Sequence, residues 1–306
     1  MAENKVLSVI IPVASKRADI FRALNSLVLI KESIIEIIII EMSEVKNNYD
    51  ASEVIDLLRV VSVKHSLPAS EARNLGASMA LGKYLLFIDD DAELLMENNS
   101  EANLIEAIKS YYHVIILNRG HIKGGVFISH WPKKSDKITY SNFSRLAIEW
   151  NLIIERALFN KIDGFPSIGT GQHHSAQSGE AFVLVAKLLF SGKRIKLLPD
   201  IRIAHPNLDC PNKPLNKNIG YSYGCGYAIG MSMHLFPIIW QVYWLLRGII
   251  APIADISSKK YDHLDRYGKI ILKCKLALVR ILGLFDALLN RSPKTLFWLE
   301  EMAKRH

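Results

Sequence analysis

Runs of branched apolar residues alternating with amphipathic stretches organise the first two thirds of the chain. Val6–Ile11, Ile34–Ile40 and Lys83–Ile88 are apolar enough throughout to be strands covered on both faces, and Val114–Leu117 is a further candidate. Between them, Ser15–Ile30 sets Ile20, Leu24 and Leu27 on one helical face, and Ser70–Leu81 reads as a helix capped by Ser70. This alternation predicts an α/β fold with a Rossmann-like, doubly wound and mostly parallel sheet flanked by helices. Residues 120–150 break the pattern with glycines, a proline and scattered charges, and predict loops with short antiparallel strands. A helix over 181–190 stopped by Gly192, then a strand through "RIKLLPDIRIAH", complete the α/β part.

Beyond Pro214 the pattern turns to long helices, so the expected organisation is an α/β domain over 1–214 and a C-terminal helical extension over 215–306. "LFPIIWQVYWLLRGIIAPIADI" is nearly long enough to cross a bilayer but is interrupted by Pro237, Gln241, Arg247 and Pro252. In "YGKIILKCKLALVRILGLFDALL" and the residue before it, Arg266, Lys269, Lys273 and Arg280 fall within an arc of about 60° on a largely apolar helix. That arrangement suits a helix lying in the plane of an anionic membrane surface; the alternative is a helix packed on the core with a solvated basic edge.

Charge sharpens this picture. The formal net charge is +8, and from Ser257 onward eleven Lys/Arg stand against five Asp/Glu, which points to an anionic partner. Because the basic stripe is interleaved with aliphatics and not with stacking aromatics, nucleic acid is a poor fit. Cys210, Cys225 and Cys274 are odd in number and lack C-x-x-C spacing, so reduced thiols in a cytosolic setting are expected. "MAENKVLSVIIP" has no basic leader and is cut at Pro12; it reads as a first strand and not as a secretion signal.

The chemistry concentrates at "KYLLFIDDDAEL", where a buried strand runs into Asp89, Asp90 and Asp91. Ligands of doubly wound sheets sit beyond the carboxyl ends of the strands, and adjacent acids there can share a hard cation with phosphates. Solvated acids at a strand end are the plainer alternative.

In order along the chain, "LSVIIP", "EIIIIEM", "PASEARNLGASMALGKYLLFIDDDAEL", "IERALFNKIDGFPSIGTG" and "SGEAFVLVAKLLFSGKRIKLLPDIRIAHP" resemble family 2 glycosyltransferases of the GT-A fold, particularly bacterial-type enzymes of cell-surface polysaccharide assembly. The resemblance covers about residues 6–206. It implies that Pro12, Val13 and Ala14 form the rim under a nucleotide base and that Glu41 meets a uracil N–H, although Glu41 could also be a solvated strand-end acid. Ser70 and Arg73 open a helix that would favour an anion, with pairing to a surface acid as the other option for Arg73. Asp89 and Asp91 take the place of the Asp-x-Asp pair. Asp91 would ligate Mn²⁺ or Mg²⁺, Asp89 or Asp90 would bind ribose or metal-bound water, and His205 would complete the metal shell or donate to the leaving phosphate. Glu180 is the expected general base; many relatives carry Glu-Asp here, whereas this chain has Glu180–Ala181. Gly171, Gln172, His173 and His174 lie in a loop resembling an acceptor lid, and the adjacent histidines are not expected to hold a metal.

The resemblance therefore implies an inverting, metal-dependent glycosyltransferase of hexosyltransferase type. It would take a nucleotide-sugar, a UDP-sugar being expected, and a glycan or lipid-linked acceptor, at the cytoplasmic face of a membrane. Two alternatives stand beside it. One is an inactive GT-A module that binds nucleotide only; the other is a sugar-phosphate nucleotidyltransferase, against which the glycine-free "IIPVASKRAD" argues.

Overall fold

The computed structural model describes residues 5–14, 20–42, 48–49, 53–97, 100–110, 112–120, 138–205, 215–254 and 266–294. Its strands are β1 (Leu7–Val13), β2 (Ile34–Glu41), β3 (Leu58–Ser62), β4 (Tyr84–Phe87), β5 (Glu93–Met96), β6 (Val114–Gly120), β7 (Leu152–Glu155) and β8 (Ile195–Ala204). Its α-helices are α1 (Ile20–Ser26), α2 (Ala69–Met79), α3 (Ser100–Lys109), α4 (Phe143–Leu146), α5 (Arg156–Lys161), α6 (Glu180–Phe190), α7 (Leu215–Ser232), α8 (Ile238–Ala254) and α9 (Arg266–Leu288).

The strands form one sheet in the order β3-β2-β1-β4-β7-β6-β8-β5. β3, β2, β1 and β4 are mutually parallel; β7 runs antiparallel between β4 and β6, and β8 is parallel to β6. It follows that β1, β4 and β8 point the same way and deliver their carboxyl ends to one edge. Every residue of β1 and β4 is buried, which is why both read as unbroken apolar runs. β3 is an edge strand whose five residues are all exposed or half-buried, so "LRVVS" carries no such run.

Contacts divide the chain into two compact units, 1–164 with 191–208, and 165–190 with 209–306. Residues 165–190, which precede the boundary expected at 214, thus group with helices that follow it.

In the first unit, a polar knot ties the start of the sheet. Ser8 Oγ donates to Glu36 Oε1 (2.7 Å), which also accepts the Leu81 N–H (2.6 Å), while the Gly82 N–H donates to Ser8 Oγ (2.8 Å). A Cβ on Gly82 would lie 2.5 Å from Ser8 N and 2.7 Å from Ser8 Oγ. Gly82→Ala must force these backbones apart and is expected to cost about 2–3 kcal/mol, measured by urea denaturation. Between β6 and β8 the register jumps at Leu117/Asn118, from Leu198 to Arg202. Pro199 has no N–H for the ladder, and Asn118 Nδ2 instead bonds the Pro199 carbonyl (3.1 Å). The jump sets the direction of the last residues of β8 and of His205.

Three local expectations differ from the structure. α2 starts at Ala69 with Pro68 as its N-cap, so Ser70 lies inside the first turn, and its hydroxyl is buried. The helix expected over 15–30 is α1 followed by a 3₁₀ segment at Leu27–Ser33, with 15–19 outside the described residues. Within 138–151 the chain forms α4 and a 3₁₀ turn, Glu149–Asn151, where short strands were expected; 121–137 lie outside the described residues. Buried Asn151 stabilises that turn, donating to the carbonyls of Leu117 (2.7 Å) and Leu146 (2.9 Å) and accepting the Ile148 N–H (2.8 Å).

In the second unit α7 packs closely on α9. Cβ atoms on Gly226 and Gly283 would overlap the main chain of the opposing helix at Arg280 and Tyr223, so glycine allows near backbone contact. The one acid in this helix pair, Asp286, is buried, accepts from Tyr223 Oη (2.8 Å) and has Lys294 Nζ at 3.4 Å. Burial, followed by that carboxylate, pushes the Tyr223 phenol well above its usual range. On α9, Lys273 is buried and Arg280 half-buried. Lys273 and Arg280 thus turn toward the protein, while apolar side chains on the opposite side of α9 face outward. Among the described residues, no helix is long and apolar enough to cross a membrane. Cys225 and Cys274 are unbridged, and Cys210 lies outside the described residues.

Candidate active site

β4 ends between its neighbours and hands the chain to Asp89–Asp91. The Ile88 N–H still bonds Ile10 of β1 (3.2 Å), and the Ala92 N–H then returns to the Asp89 carbonyl (3.1 Å). This tight turn brings the side chains of Asp89 and Asp91 to one side. From α1, Arg22 Nη2 donates to the Asp91 carbonyl (2.9 Å) and holds the turn by its main chain, leaving the carboxylate for other work.

His205 follows β8 on the same sheet edge. Its Nε2 lies 3.1 Å from Asp91 Oδ1 and 3.4 Å from Asp89 Oδ2, and the ring stacks on Trp150 with centroids 5.3 Å apart. Arg73, buried on α2, donates from Nη2 to Asp89 Oδ1 at 2.6 Å. Asp90 and Asp91 are buried, and Asp89 is half-buried.

The electrostatics follow from this geometry. Burial alone pushes the Asp89 carboxyl up, but Arg73 and His205 beside it outweigh burial and hold it below the usual carboxylate range. Burial would lower His205, yet its hydrogen bonds to Asp89 and Asp91 raise it to about 9. At neutral pH the imidazole is therefore a cation clamped between two carboxylates. One ligand atom each from Asp89, Asp91 and His205 lies within 4.8 Å of the others. Two carboxylate oxygens and an imidazole nitrogen converging in this way form a donor set that could hold a divalent cation.

The remaining expected residues fall into two groups. Pro12, Val13 and Glu41 are buried at the ends of β1 and β2, with Val13 in register with Glu41, and Ala14 is exposed just beyond them. Glu41 is not a solvated acid: Oε1 accepts from Tyr49 (3.0 Å) and Oε2 from Ser62 (3.3 Å).

Glu180 and the loop before it belong to the second unit. Glu180 is buried as the first residue of α6, and a Cβ on Gly169 (φ +113°) would overlap its carboxylate. Gly171 donates its N–H to Gln177 Oε1 (3.2 Å), and Gln177 Nε2 donates to the carbonyls of Gln172 (2.7 Å) and His174 (2.5 Å). His174 Nδ1 accepts the Ala176 N–H (3.2 Å), which leaves Nε2 to donate to the Ser167 carbonyl (3.1 Å). Both its ring nitrogens thus serve loop structure, whereas His173 is exposed.

Three residues near the carboxylates were not expected. Arg22 sits on an ordinary amphipathic helix and gave no sign. Trp150 could have been suspected as an aromatic immediately before a strand. Glu149 lies on the turn that Asn151 stabilises; burial pushes its carboxyl up, Arg73 opposes this, and Asp89 adds to it.

A sequence profile of glycosyl transferase family 2 matches residues 8–175, more than half of the chain. The chain belongs to glycosyl transferase family 2. It is a glycosyltransferase, and membership removes the support for a nucleotidyltransferase. Solved structures show the same GT-A fold. S. aureus TarS 1-349 in complex with UDP superposes with a TM-score of 0.60 at 16% identity, covering 93% of this chain and 90% of that one. Its complex with UDP-GlcNAc gives 0.60 at 17%, covering 92% and 81%. The mannosyltransferase PcManGT from Pyrobaculum calidifontis, in complex with GDP-Man and Mn²⁺, gives 0.54 at 12%, covering 92% and 87%. No curated protein sequence matches this glycosyltransferase.

Proposed function

We propose that this family 2 glycosyltransferase transfers a hexose from a nucleotide-sugar, a UDP-sugar, to a glycan or lipid-linked glycan acceptor with inversion at the anomeric carbon. The observation that carries this is the convergence of Asp89, Asp91 and His205 at the strand ends beside Arg73. Neighbours of the same fold hold UDP, UDP-GlcNAc or GDP-Man with Mn²⁺, which supports a nucleotide-sugar donor.

Asp89, Asp91 and His205 would hold a divalent cation, which when bound supplies Lewis-acid stabilisation of a departing diphosphate. Arg73 keeps Asp89 ionised and oriented. Pro12, Val13 and Ala14 with Glu41 would frame the base, with the Tyr49 and Ser62 bonds fixing the direction of the Glu41 carboxylate. Asp90 would contact the ribose. Glu180 would take the proton from the acceptor hydroxyl as it attacks; a single displacement of this kind needs only one base and inverts the centre. The loop bearing Gly171, Gln172, His173 and His174 would border the acceptor and keep water out. The C-terminal helical region would hold the enzyme at the cytoplasmic face of a membrane, where a lipid-linked acceptor would be presented.

Diphosphate release across a panel of nucleotide-sugars, with and without Mn²⁺, tests this function. Metal-stimulated release with one UDP-sugar is expected. Release with none would favour a nucleotide-binding module without turnover, which Ala181 in place of a second carboxylate also suggests.

Proton linkage gives a second measurement. In the metal-free protein His205 carries a proton up to about pH 9, so a cation that takes Nε2 must displace it. Apparent Mn²⁺ affinity should therefore rise with pH, by about tenfold per unit between roughly pH 7 and 8.5, and level off above 9. His205→Asn should flatten the profile. Titration calorimetry in buffers of different ionisation enthalpy checks this through the release of about one proton.

A further inference from the structure

The solvent face of α9 is apolar. Tyr267, Ile271, Leu278, Phe285 and Leu289 are exposed, Tyr267 to 76%. At 100° per residue they lie within about 40° of one another, a straight stripe along the helix. α8, which packs against α9, shows the same: Ile238 and Ile239 are 79% and 74% exposed, and Val242, Leu246 and Ile250 continue the stripe. Two such stripes far exceed the scattered apolar side chains of an ordinary surface and mark an interaction face.

Charge selects what covers it. Across 215–254 and 266–294, Asp286 is the sole acid, and it is buried. Arg247, Lys275, Arg291 and Lys294 stay at least partly exposed around the stripes, Arg291 and Lys294 with more than half of their side-chain surface. Among the described residues of this face, a second copy would set cation against cation with no exposed acid to pair. An anionic bilayer complements both the stripes and the charges. Trp240 and Tyr243, half-buried on α8 with rings 5.3 Å apart, are residue types that settle at headgroup depth. An open cleft of about 870 Å³ beside Leu288, lined by His234, Gln241, Asn290 and Arg291, has room for a headgroup.

We propose that the α8–α9 face docks the protein on an anionic phospholipid bilayer, with the apolar stripes seated at the acyl boundary and Arg247, Lys275, Arg291 and Lys294 among the headgroups. This deepens the membrane-presented acceptor of the proposed function. It is tested without donor, metal or acceptor, so its failure leaves the donor site untouched.

The test is flotation of the full chain with vesicles of phosphatidylglycerol and phosphatidylcholine, against phosphatidylcholine alone. Binding to the anionic vesicles should be at least about fivefold stronger, since each surface cation near such lipids is worth roughly that factor. The exposed-site variants Val242→Glu/Leu246→Glu and Leu278→Glu/Phe285→Glu should each lower binding about tenfold with unchanged circular dichroism and Tm. Lys275→Gln/Arg291→Gln should weaken the preference for anionic vesicles. Absence of flotation, equal binding to both vesicle types, or full binding by the Glu variants would overturn the proposal. So would a dimer in sedimentation that the Glu variants convert to monomer, because a second copy would then be the occupant.

Discussion

Asp91→Asn should reduce transfer about a thousand-fold while leaving the fold intact. The substitution keeps size and shape but removes the charge on which one face of the proposed cation site depends. Losing a single group that stabilises developing charge in a buried site typically costs about 10²–10³ in rate, and here the proposed metal ligand goes with it. The local backbone should survive because Arg22 grips the Asp91 carbonyl and not its carboxylate. His205 would keep only Asp89 as a carboxylate partner, so its imidazole should titrate below about 9. Initial rates with the donor found by screening, together with Mn²⁺ titration and Tm, make the check. Turnover within about tenfold of the parent would remove Asp91 from the metal role.

Glu180→Gln should be nearly as damaging, for a different reason. General-base catalysis contributes about 10²–10⁴-fold, and glutamine offers no basic oxygen at neutral pH. The replacement is isosteric, which matters because the side chain is buried with its carboxylate close against Gly169. Nucleotide affinity should be unchanged, since binding is assigned to residues of the first unit. The expected signature is a fall in kcat with constant Kd for the nucleoside diphosphate. A variant that transfers at near-parental rate would eliminate Glu180 as the base and leave the acceptor's proton to another group.

Part of the site was legible because its chemistry is local in sequence. Asp89 and Asp91 follow a buried apolar run, so any strand there must end on them. Arg73 and His205 could be chosen only through the ordered resemblance to a family; neither stands out by spacing. Arg22, Glu149 and Trp150 escaped because each lies in a segment whose pattern reports only helix, turn or strand start. The same limit applies to the elements. β1, β2 and β4 were readable since burial on both faces demands continuous Ile, Val and Leu, whereas β3 at the sheet edge has no such demand. Ser70 looked like a helix cap, yet Pro68 holds that place.

By itself, the sequence determined the α/β class, the strand that delivers the carboxylates and the amphipathic character of the C-terminal helices. Each of these follows from periodicity or composition over a short window, where local propensity and burial act together. Only the tertiary structure decided that His205 lands between Asp89 and Asp91, because that depends on β4 and β8 running parallel and on the register jump at Asn118. It also decided which way α9 faces. A helix with both a basic arc and an apolar arc can bury either, and the glycines of α7 and α9 settle the matter. Near backbone contact there turns Lys273 inward and leaves Tyr267, Leu278 and Phe285 on the outside.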